Sequence, residues 1–416
     1  MNSTTAAGGS AAAMPPLRQD AGVIGLVGMG HMISHFSQLL LAPLFPWLKD
    51  EFSASYTELG FLMTLFFVVS CSVQAASGFL VDRMGPRPVL FGGLALVGLA
   101  AFGFALSPSY GAMAACSVLA GIGNGVFHPV DYTLLNRKVS PRRLGHAYSF
   151  HGITGSLGWA LAPALLVPLT IAFSWRTALA VAGTLAFVVL LVLWLNRHRL
   201  NLPAAAPAAA PRVSQQRAEG SFDFLRIPAV WMCFGFFLLY AVVLSVIQAF
   251  APEAARQLHG VPVALAAMCL TVYMVFSAGG MVMGGFLASD PKRCEKVVAV
   301  GFSIAALVAL TIGFTPVPAL AVPALFGAMG IASGIAGPSR DLLVKRSTPD
   351  NATGRVYGVV YSGLDIGQAL SPLIFGSLMD QRQYQGVWLG IALVLAVLIV
   401  SAFNVKRVRR TVLVTA

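Results

Sequence analysis

The sequence predicts an all-α membrane protein with twelve transmembrane helices, arranged as two pseudo-symmetric bundles of six. Three observations lead to this prediction: the composition, the apolar runs and an internal repeat. Hydrophobic residues make up 57% of the chain and charged residues only 10%, whereas soluble domains carry about 25% charged residues. Apolar runs recur along the whole length, and a helix of about 20 apolar residues crosses a bilayer core. Because backbone polar groups must pair inside lipid, helices are the expected spanning elements.

The internal repeat is a segment that occurs twice. Residues 121–163 align without a gap with residues 330–372, and matched positions are 209 residues apart. Each copy is an apolar run, a short basic loop and a second apolar run. In so apolar a chain, this repeat indicates two membrane half-bundles. The identical pairs are Gly121/Gly330, Gly125/Gly334, Pro129/Pro338, Arg137/Arg346, Gly145/Gly354, Tyr148/Tyr357, Gly158/Gly367 and Pro163/Pro372.

Taken in order, the apolar runs define the predicted helices and domains. The first six helices fall at about 22–46, 57–81, 87–107, 110–134, 146–170 and 175–195. The second six fall at about 227–251, 262–287, 297–315, 319–343, 355–379 and 386–404. The predicted domains are a disordered cytoplasmic tail (1–20), an N-terminal bundle (21–195), a proline-containing cytoplasmic linker (196–226), a C-terminal bundle (227–405) and a basic cytoplasmic tail (406–416).

The basic residues predict the orientation in the membrane. With both termini in the cytoplasm, all but four of the 27 Lys and Arg residues lie on the cytoplasmic side, as the positive-inside rule requires. The net charge of +12 therefore reflects topology, and no nucleic-acid partner is expected. The start of the chain lacks the basic region of a signal peptide. The four exceptions are Lys49, Arg176, Arg256 and Arg382.

The sequence offers no sign of a disulfide framework, a metal site or a cofactor. Four of the five cysteines lie inside apolar runs, and none has a metal-ligand spacing. A Walker sequence is also absent, so ATP hydrolysis by this chain is not expected. The cysteines are Cys71, Cys116, Cys233, Cys269 and Cys294.

The loop between the second and third predicted helices carries a family motif. From Gly78 it reads G-F-L-V-D-R-M-G-P-R. Together with the six-plus-six layout, this resembles the signature loop of the major facilitator superfamily, G-x-L-x-D-R-x-G-R-R/K. One departure is Pro86, which replaces a basic residue and leaves Arg87 to act for it. The resemblance implies a monomeric secondary transporter of a bacterial inner membrane, working by alternating access.

The loop is expected to gate the transporter by latching its cytoplasmic side, since its Asp and Arg can pair with a helix terminus and an acid nearby. Asp131 and Arg340 occupy equivalent repeat positions with opposite charges. Either Arg340 binds an anion, or Asp131 pairs with Arg87 while Arg340 pairs with Asp290 or Glu295. The predicted gating residues are Gly78, Asp82, Arg83, Gly85, Arg87, Asp131, Asp290 and Arg340.

A second resemblance is narrower. Phe127-His128-Pro129 and the sequence after it are similar to the fosmidomycin-resistance group of the same superfamily. The Gly-Pro-x-x-Gly-Gly pattern of drug/proton antiporters is missing from the fifth predicted helix. The subgroup resemblance nevertheless implies an alternative function, a proton-driven exporter of antibiotics or metabolites.

Polar side chains form stripes on three of the predicted helices. Such groups are costly inside a membrane and are therefore candidates for function. The spacing i, i+4, i+7 puts the members of each stripe on one helix face. In the superfamily, helices 1, 4, 7 and 10 line the cavity with help from 2, 5, 8 and 11. By this resemblance the predicted substrate and proton-coupling residues are His31, His35, Gln38, Asn124, His128, His151, Tyr240, Gln248, Tyr361, Asp365 and Gln368.

Asp365 is the leading candidate for proton coupling. It lies near the middle of its predicted helix, and the matching residue of the first half is Ser156. A carboxyl group in an apolar surrounding can bind and release a proton near neutral pH. Alternatively, Asp365 pairs permanently with a basic group such as a histidine and fixes helix packing. His31 and His35 either relay protons or bridge helices as satisfied polar residues. His128 either belongs to the site or compensates the hydrogen bond that Pro129 cannot make.

The predicted function is secondary transport of a small polar or anionic organic solute, coupled to protons. Histidines and amides outnumber acids in the proposed cavity, which suits such a solute better than a large cation. The expected partners are this solute, protons and the lipid bilayer. A membrane-embedded enzyme would need a nucleophile or catalytic pair that does not stand out. A non-transporting sensor would usually carry an added soluble domain.

Overall fold

The computed structural model describes residues 17–202, 228–287, 294–347 and 353–415, apart from the side chains of 229, 340–361 and 402–415. Within these ranges the chain consists of helices joined by short turns and contains no strand. Most of the predicted N-terminal tail and linker lies outside the described residues. So do Asp290 and the side chains of Arg340 and Tyr361.

The first half contains eight helices among its described residues. They are α1 (Leu17–Gln38), α2 (Phe45–Phe52), α3 (Tyr56–Met84), α4 (Pro86–Leu106), α5 (Tyr110–Asn124), α6 (Phe127–Lys138), α7 (Leu144–Ala172) and α8 (Trp175–Leu195). Two of the predicted helices are broken. Pro43 and Pro46 lack the N–H that a continuing helix needs, so the chain turns between α1 and α2. Pro129 similarly accompanies the break between α5 and α6.

The second half repeats this order. Its described helices are α9 (Pro228–Ala249), α10 (Ala251–His259), α11 (Val263–Leu287), α12 (Cys294–Phe314), α13 (Val322–Ser347), α14 (Thr353–Asp380) and α15 (Tyr384–Thr415). In the described part of the chain, eleven segments are long and apolar enough to cross a bilayer. Helix α14 coincides with the remaining predicted span, so the all-α membrane architecture is confirmed.

Two predicted tails are shorter than expected. Helix α1 begins at Leu17, inside the predicted tail 1–20, and α15 continues to Thr415, through most of the predicted tail 406–416. Asp20 is fully buried rather than part of a tail. Its carboxylate accepts hydrogen bonds from the Ser140 hydroxyl at 2.6 Å and from Arg143 at 2.8 Å. These contacts tie the start of α1 to the loop before α7.

The repeat glycines allow helices to approach closely in both halves. A Cβ atom at Gly121 of α5 would lie 2.6 Å from the Phe66 carbonyl oxygen of α3. Its repeat partner, Gly330 of α13, meets the Tyr273 carbonyl oxygen of α11 in the same way. Small residues let backbones touch in membrane bundles, where dispersion contacts drive helix association. The sequence repeat thus corresponds to a repeated helix contact.

Hydrogen bonds join the two halves at one end of the bundle, here called the closed end, and others join them nearer the middle. The Asp380 carboxylate of α14 accepts hydrogen bonds from the backbone N–H groups of Tyr56 at 2.6 Å and Thr57 at 2.9 Å. It therefore caps the N-terminus of α3, where a negative charge is favourable. The Tyr56 hydroxyl also donates to Glu253 at 3.1 Å, and Glu253 is paired with Arg256.

The opposite end, here called the open end, carries the signature loop. Arg87 of this loop bonds Asn201, and Asp82 and Arg83 are exposed without an ion pair to a described residue. Arg87 therefore does not pair with Asp131 in this conformation, in which Asp131 lies against His31 and His151. Among the described residues, no hydrogen bond joins the two halves at the open end, so the loop does not latch them in this conformation.

The glycine contact leads to a stability prediction. Replacing Gly121 by Ala places a methyl group against the Phe66 backbone, which cannot move aside as a side chain can. Overpacking of this kind costs about 1–3 kcal/mol. We expect the melting temperature of purified Gly121→Ala protein in detergent to fall.

Gly111→Ala in the same helix is the matched control, because a Cβ there meets only the Ser109 hydroxyl at 4.0 Å. Its melting temperature should stay at the wild-type value or rise slightly. Equal melting temperatures for the two variants would contradict the proposed close approach.

Candidate functional site

A buried carboxylate lies at the centre of the site. Asp131 of α6 is fully buried, and its Oδ2 atom lies 3.1 Å from His31 Nδ1 of α1 and 3.1 Å from His151 Nε2 of α7. The two imidazole rings stack, with centroids 3.5 Å apart. Two N–H donors thus meet one carboxylate oxygen away from water, a charge-assisted arrangement. Asp131 belongs to this cluster and not to the loop at the open end.

His35 extends the cluster along α1. Its ring centroid lies 4.3 Å from that of His31 and 4.3 Å from that of Trp159. Trp159 in turn donates its Nε1–H to the Gln38 side-chain oxygen at 2.9 Å. Both ring nitrogens of His35 are buried without a hydrogen-bond partner among the described residues. The predicted stripe of α1 therefore faces α7 in the interior.

His128 connects the cluster to the second half of the chain. Its Nδ1 atom lies 2.9 Å from Gln74 Oε1 of α3, and Gln74 Nε2 donates to the Asp365 carboxylate of α14 at 3.2 Å. The Cys71 thiol also lies within hydrogen-bonding reach of Asp365. Among the described residues no histidine pairs directly with Asp365, because the Gln74 amide lies between Asp365 and His128. Sequence reasoning missed Gln74, although an amide inside a spanning helix is itself a signal.

A second polar layer lies between α1, α3 and α5. Ser34 donates its hydroxyl to Asn124 Oδ1 at 2.7 Å, and Asn124 Nδ2 donates to the Ser70 hydroxyl at 2.9 Å. All three side chains are buried. Asn124 was among the predicted site residues, whereas Ser34 and Ser70 were not. Serines are too common in membrane helices for the sequence alone to single them out.

Aromatic residues border the cluster. The Tyr132 ring lies 5.4 Å from the His151 ring, 6.3 Å from the His128 ring and 5.6 Å from the Tyr148 ring, measured between centroids. Both tyrosines are exposed, unlike the histidines beside them. Tyr148 also bonds Asn136. These tyrosines were not among the predicted site residues.

The predicted residues of α9 and α14 do not all reach the cluster. Gln248 is buried at the closed end, where it lines a cavity of about 40 Å³ with Pro163 and Glu253. Its amide atoms have no partner among the described residues. Gln368 is also buried, and Tyr240 lies 6.4 Å from the Phe302 ring. In the second half, the described connection to the histidines runs through Asp365.

Two groups of side chains have the composition of metal ligands. His31, His35 and His128 form one group, and His31, Asp131 and His151 form the other; the ligand atoms of each group lie within 4.8 Å of one another. The prediction of no metal site rested on cysteine spacing. His31 and His35 are four residues apart on α1, a spacing that the sequence does show, whereas their approach to His128 on α6 is set by helix packing and leaves no sequence pattern.

Comparisons with known proteins agree with this architecture. The family model of the Major Facilitator Superfamily matches residues 27–328 and 295–414. The fosmidomycin resistance protein of Escherichia coli (strain K12) is 30% identical over 207 residues, which are 46% of this chain and 48% of that protein. The alignment thus spans about half the length of this relative. The hexuronate transporter of Bacillus subtilis (strain 168) is 21% identical over 86% of this chain and 88% of that protein.

A solved structure has the same fold. The bacterial homologue of the human lysosomal transporter Spinster, in an inward-facing and unoccupied conformation, superimposes with a TM-score of 0.73. The superposition covers 95% of this chain and 98% of that one at 16% identity. At this identity the likeness concerns the fold alone. The family model, which matches most of the chain, shows that the chain belongs to the Major Facilitator Superfamily, and its apolar helices make it a multi-pass membrane protein.

Proposed function

We propose that the chain is a proton-coupled secondary transporter of a small polar or anionic organic solute, working by alternating access between its two halves. The observation that carries this proposal is the polar chain Asp365, Gln74, His128. It crosses the interface between the halves and ends beside the cluster of His31, Asp131 and His151. Titratable groups in a spanning region favour a proton pathway over a purely structural role.

The three side chains of Asp365, Gln74 and His128 supply a physical means of coupling proton binding to solute transport. While Asp365 is ionised, it accepts a hydrogen bond from the Gln74 NH₂ group, which turns the Gln74 oxygen toward His128. A protonated Asp365 becomes a donor and can instead pair with that oxygen. The amide would then turn, and His128 would lose its acceptor. A single proton therefore changes both the contact between the halves and the hydrogen bonding of the histidine cluster.

The donors near the cluster suit a polar or anionic solute. Imidazole N–H groups can bind a carboxylate or hydroxyl group, and neutral rings can accept a proton to complement a negative charge. Asp131, the buried acid of the cluster, is already engaged by two histidines. The similarity to a hexuronate transporter over most of the chain supports a solute of this class.

A second candidate is export of antibiotics or metabolites. The similarity to the fosmidomycin resistance protein favours it, although the alignment covers about half of each chain. Both candidates use the same fold and the same proton chemistry. They differ in the direction of transport and in the solute, and the solute screen below separates them.

We also propose that the closed end faces away from the cytoplasm and that both termini are cytoplasmic, in a bacterial inner membrane. All but four of the 27 Lys and Arg residues favour this orientation. In this orientation the Asp380 cap on α3 closes the outer side. Transport then requires these hydrogen bonds to break while the signature loop closes the inner side. The protein is proposed to do this as a monomer.

Proton coupling is tested with Asp365→Asn in proteoliposomes under an imposed pH gradient. Hexuronates and fosmidomycin are the first solutes to screen. Asn keeps an oxygen for the Gln74 amide but cannot be ionised. We expect gradient-driven accumulation to fall by at least about tenfold, a loss of about 1.4 kcal/mol of driving force, while solute exchange without a gradient continues.

The matched control is Glu51→Gln, which makes the same chemical change in an exposed ion pair with Arg176 at the closed end. It should accumulate solute as wild type does. If Asp365→Asn also accumulates solute with the gradient, Asp365 serves packing and the coupling proposal fails.

Orientation is tested by labelling introduced cysteines in intact cells with a membrane-impermeant maleimide. Leu320, 85% exposed at the closed end, and His198, exposed at the open end, provide a matched pair. Leu320→Cys should be labelled in intact cells and His198→Cys only after the cells are opened, with wild type as the blank. The reverse pattern would overturn the proposed orientation.

A further inference from the structure

His35 is the least satisfied polar side chain of the site. Both of its ring nitrogens are buried and lack a partner of ordinary geometry among the described residues, although the ring lies against the Gly155 backbone. Leaving a buried donor or acceptor unpaired costs about 1–3 kcal/mol. Buried polar groups in native proteins are nearly always paired, so an unpaired one calls for a reason. A missing ligand is one such reason.

The neighbouring nitrogens converge on the same place. A Cβ atom at Gly155 would lie 2.8 Å from His35 Nδ1 and 3.1 Å from His31 Nε2. The absence of a side chain on Gly155 therefore lets both imidazoles lie against its backbone. Ligand atoms of His31, His35 and His128 lie within 4.8 Å of one another.

The hydrogen bonds that His31 and His128 make through Nδ1 determine which ring nitrogen keeps its lone pair. His31 Nδ1 faces the Asp131 carboxylate, which accepts a proton donor, so the lone pair of His31 is left on Nε2. His128 Nδ1 faces the Gln74 oxygen in the same way. Because Gln74 donates its NH₂ group to Asp365, the orientation of the amide is determined. His128 therefore also keeps its lone pair on Nε2.

We propose that His31, His35 and His128 form a three-histidine binding site for a divalent transition-metal ion of the Zn²⁺ type. Three neutral imidazoles are a ligand set for Zn²⁺ and for ions of similar size and softness. Metal-binding histidines usually donate their other N–H to a carboxylate or carbonyl oxygen, as His31 does to Asp131 and His128 does to Gln74. A fourth position stays open for water or a solute oxygen.

The distances are compatible with this site. In tetrahedral coordination at about 2.0–2.1 Å, ligand nitrogens lie about 3.3 Å apart. Nitrogens within 4.8 Å need only small side-chain rotations to reach this separation. Binding would also give a partner to one of the two unpaired ring nitrogens of His35. All three ligands belong to α1 and α6 in the first half, so the ion binds without linking the two halves.

The other group of possible ligands is less suitable. His31 Nδ1 and His151 Nε2 both face the same Asp131 oxygen at 3.1 Å. Nitrogens that donate protons to a carboxylate have no lone pair to offer a metal. Asp131 is therefore assigned as a positioning residue that orients His31, and it is not a ligand.

The proposal is tested by equilibrium binding to the purified full chain, carrying an affinity tag without histidines. The probes are Zn²⁺ in titration calorimetry and Co²⁺ in visible spectroscopy. We expect one ion per chain, with the absorption of tetrahedral Co²⁺, and weaker binding at acid pH because protons compete for the imidazole nitrogens. His35→Gln and His128→Gln should each weaken binding by at least about tenfold, and Asp131→Asn by about 10- to 100-fold.

His198→Gln removes an exposed histidine of the open end and should bind as wild type does. The melting temperature of each variant without metal shows whether that variant is folded. If His35→Gln does not fold, the test uses His128→Gln. The proposal is overturned if wild type binds no ion, or if folded His35→Gln and His128→Gln proteins bind as tightly as wild type. Metal binding is measured without transport. A chain that binds no ion therefore contradicts only the metal site, whereas a chain that binds the ion but moves no solute contradicts only the proposed function.

Discussion

The site depends on the requirement that a buried carboxylate be hydrogen-bonded where water cannot reach it. Asp131 meets this requirement through two histidines that donate to the same oxygen. These bonds hold α1, α6 and α7 together and fix the position of the His31 ring. The low dielectric of the interior strengthens each of these bonds. An Asp131 without its histidines would leave an uncompensated charge among apolar helices.

Close helix packing makes this arrangement possible. Apolar side chains gain little by association within lipid, so the helices rely on backbone contact at glycines. Gly125 lies against the Ser70 backbone at the level where Ser70 bonds Asn124. Gly155 likewise leaves room for His31 and His35. The same glycines that bring the helices together therefore determine which polar side chains can meet.

The interface between the halves includes hydrogen bonds at the closed end and near the middle, beside apolar contacts such as that between Phe45 and Phe250. At the closed end, Asp380 replaces the missing hydrogen-bond partners of the first turn of α3. Near the middle, Gln74 and Asp365 join α3 to α14. Contacts made of a few hydrogen bonds can be exchanged for others at little net cost, because both partners can be satisfied elsewhere.

The sequence by itself determined the membrane fold, the two-fold repeat and the family, because these depend on hydropathy, spacing and a contiguous loop motif. It also singled out His31, His35, His128, His151 and Asp365, since a polar group in a spanning helix is costly wherever it points. Only the tertiary structure decided the partners: Asp131 with two histidines instead of Arg87, and Asp365 with Gln74 instead of a histidine. Partners on different helices are set by helix rotation and by close approach at glycines. Neither helix rotation nor close approach at a glycine produces a periodic pattern in the sequence.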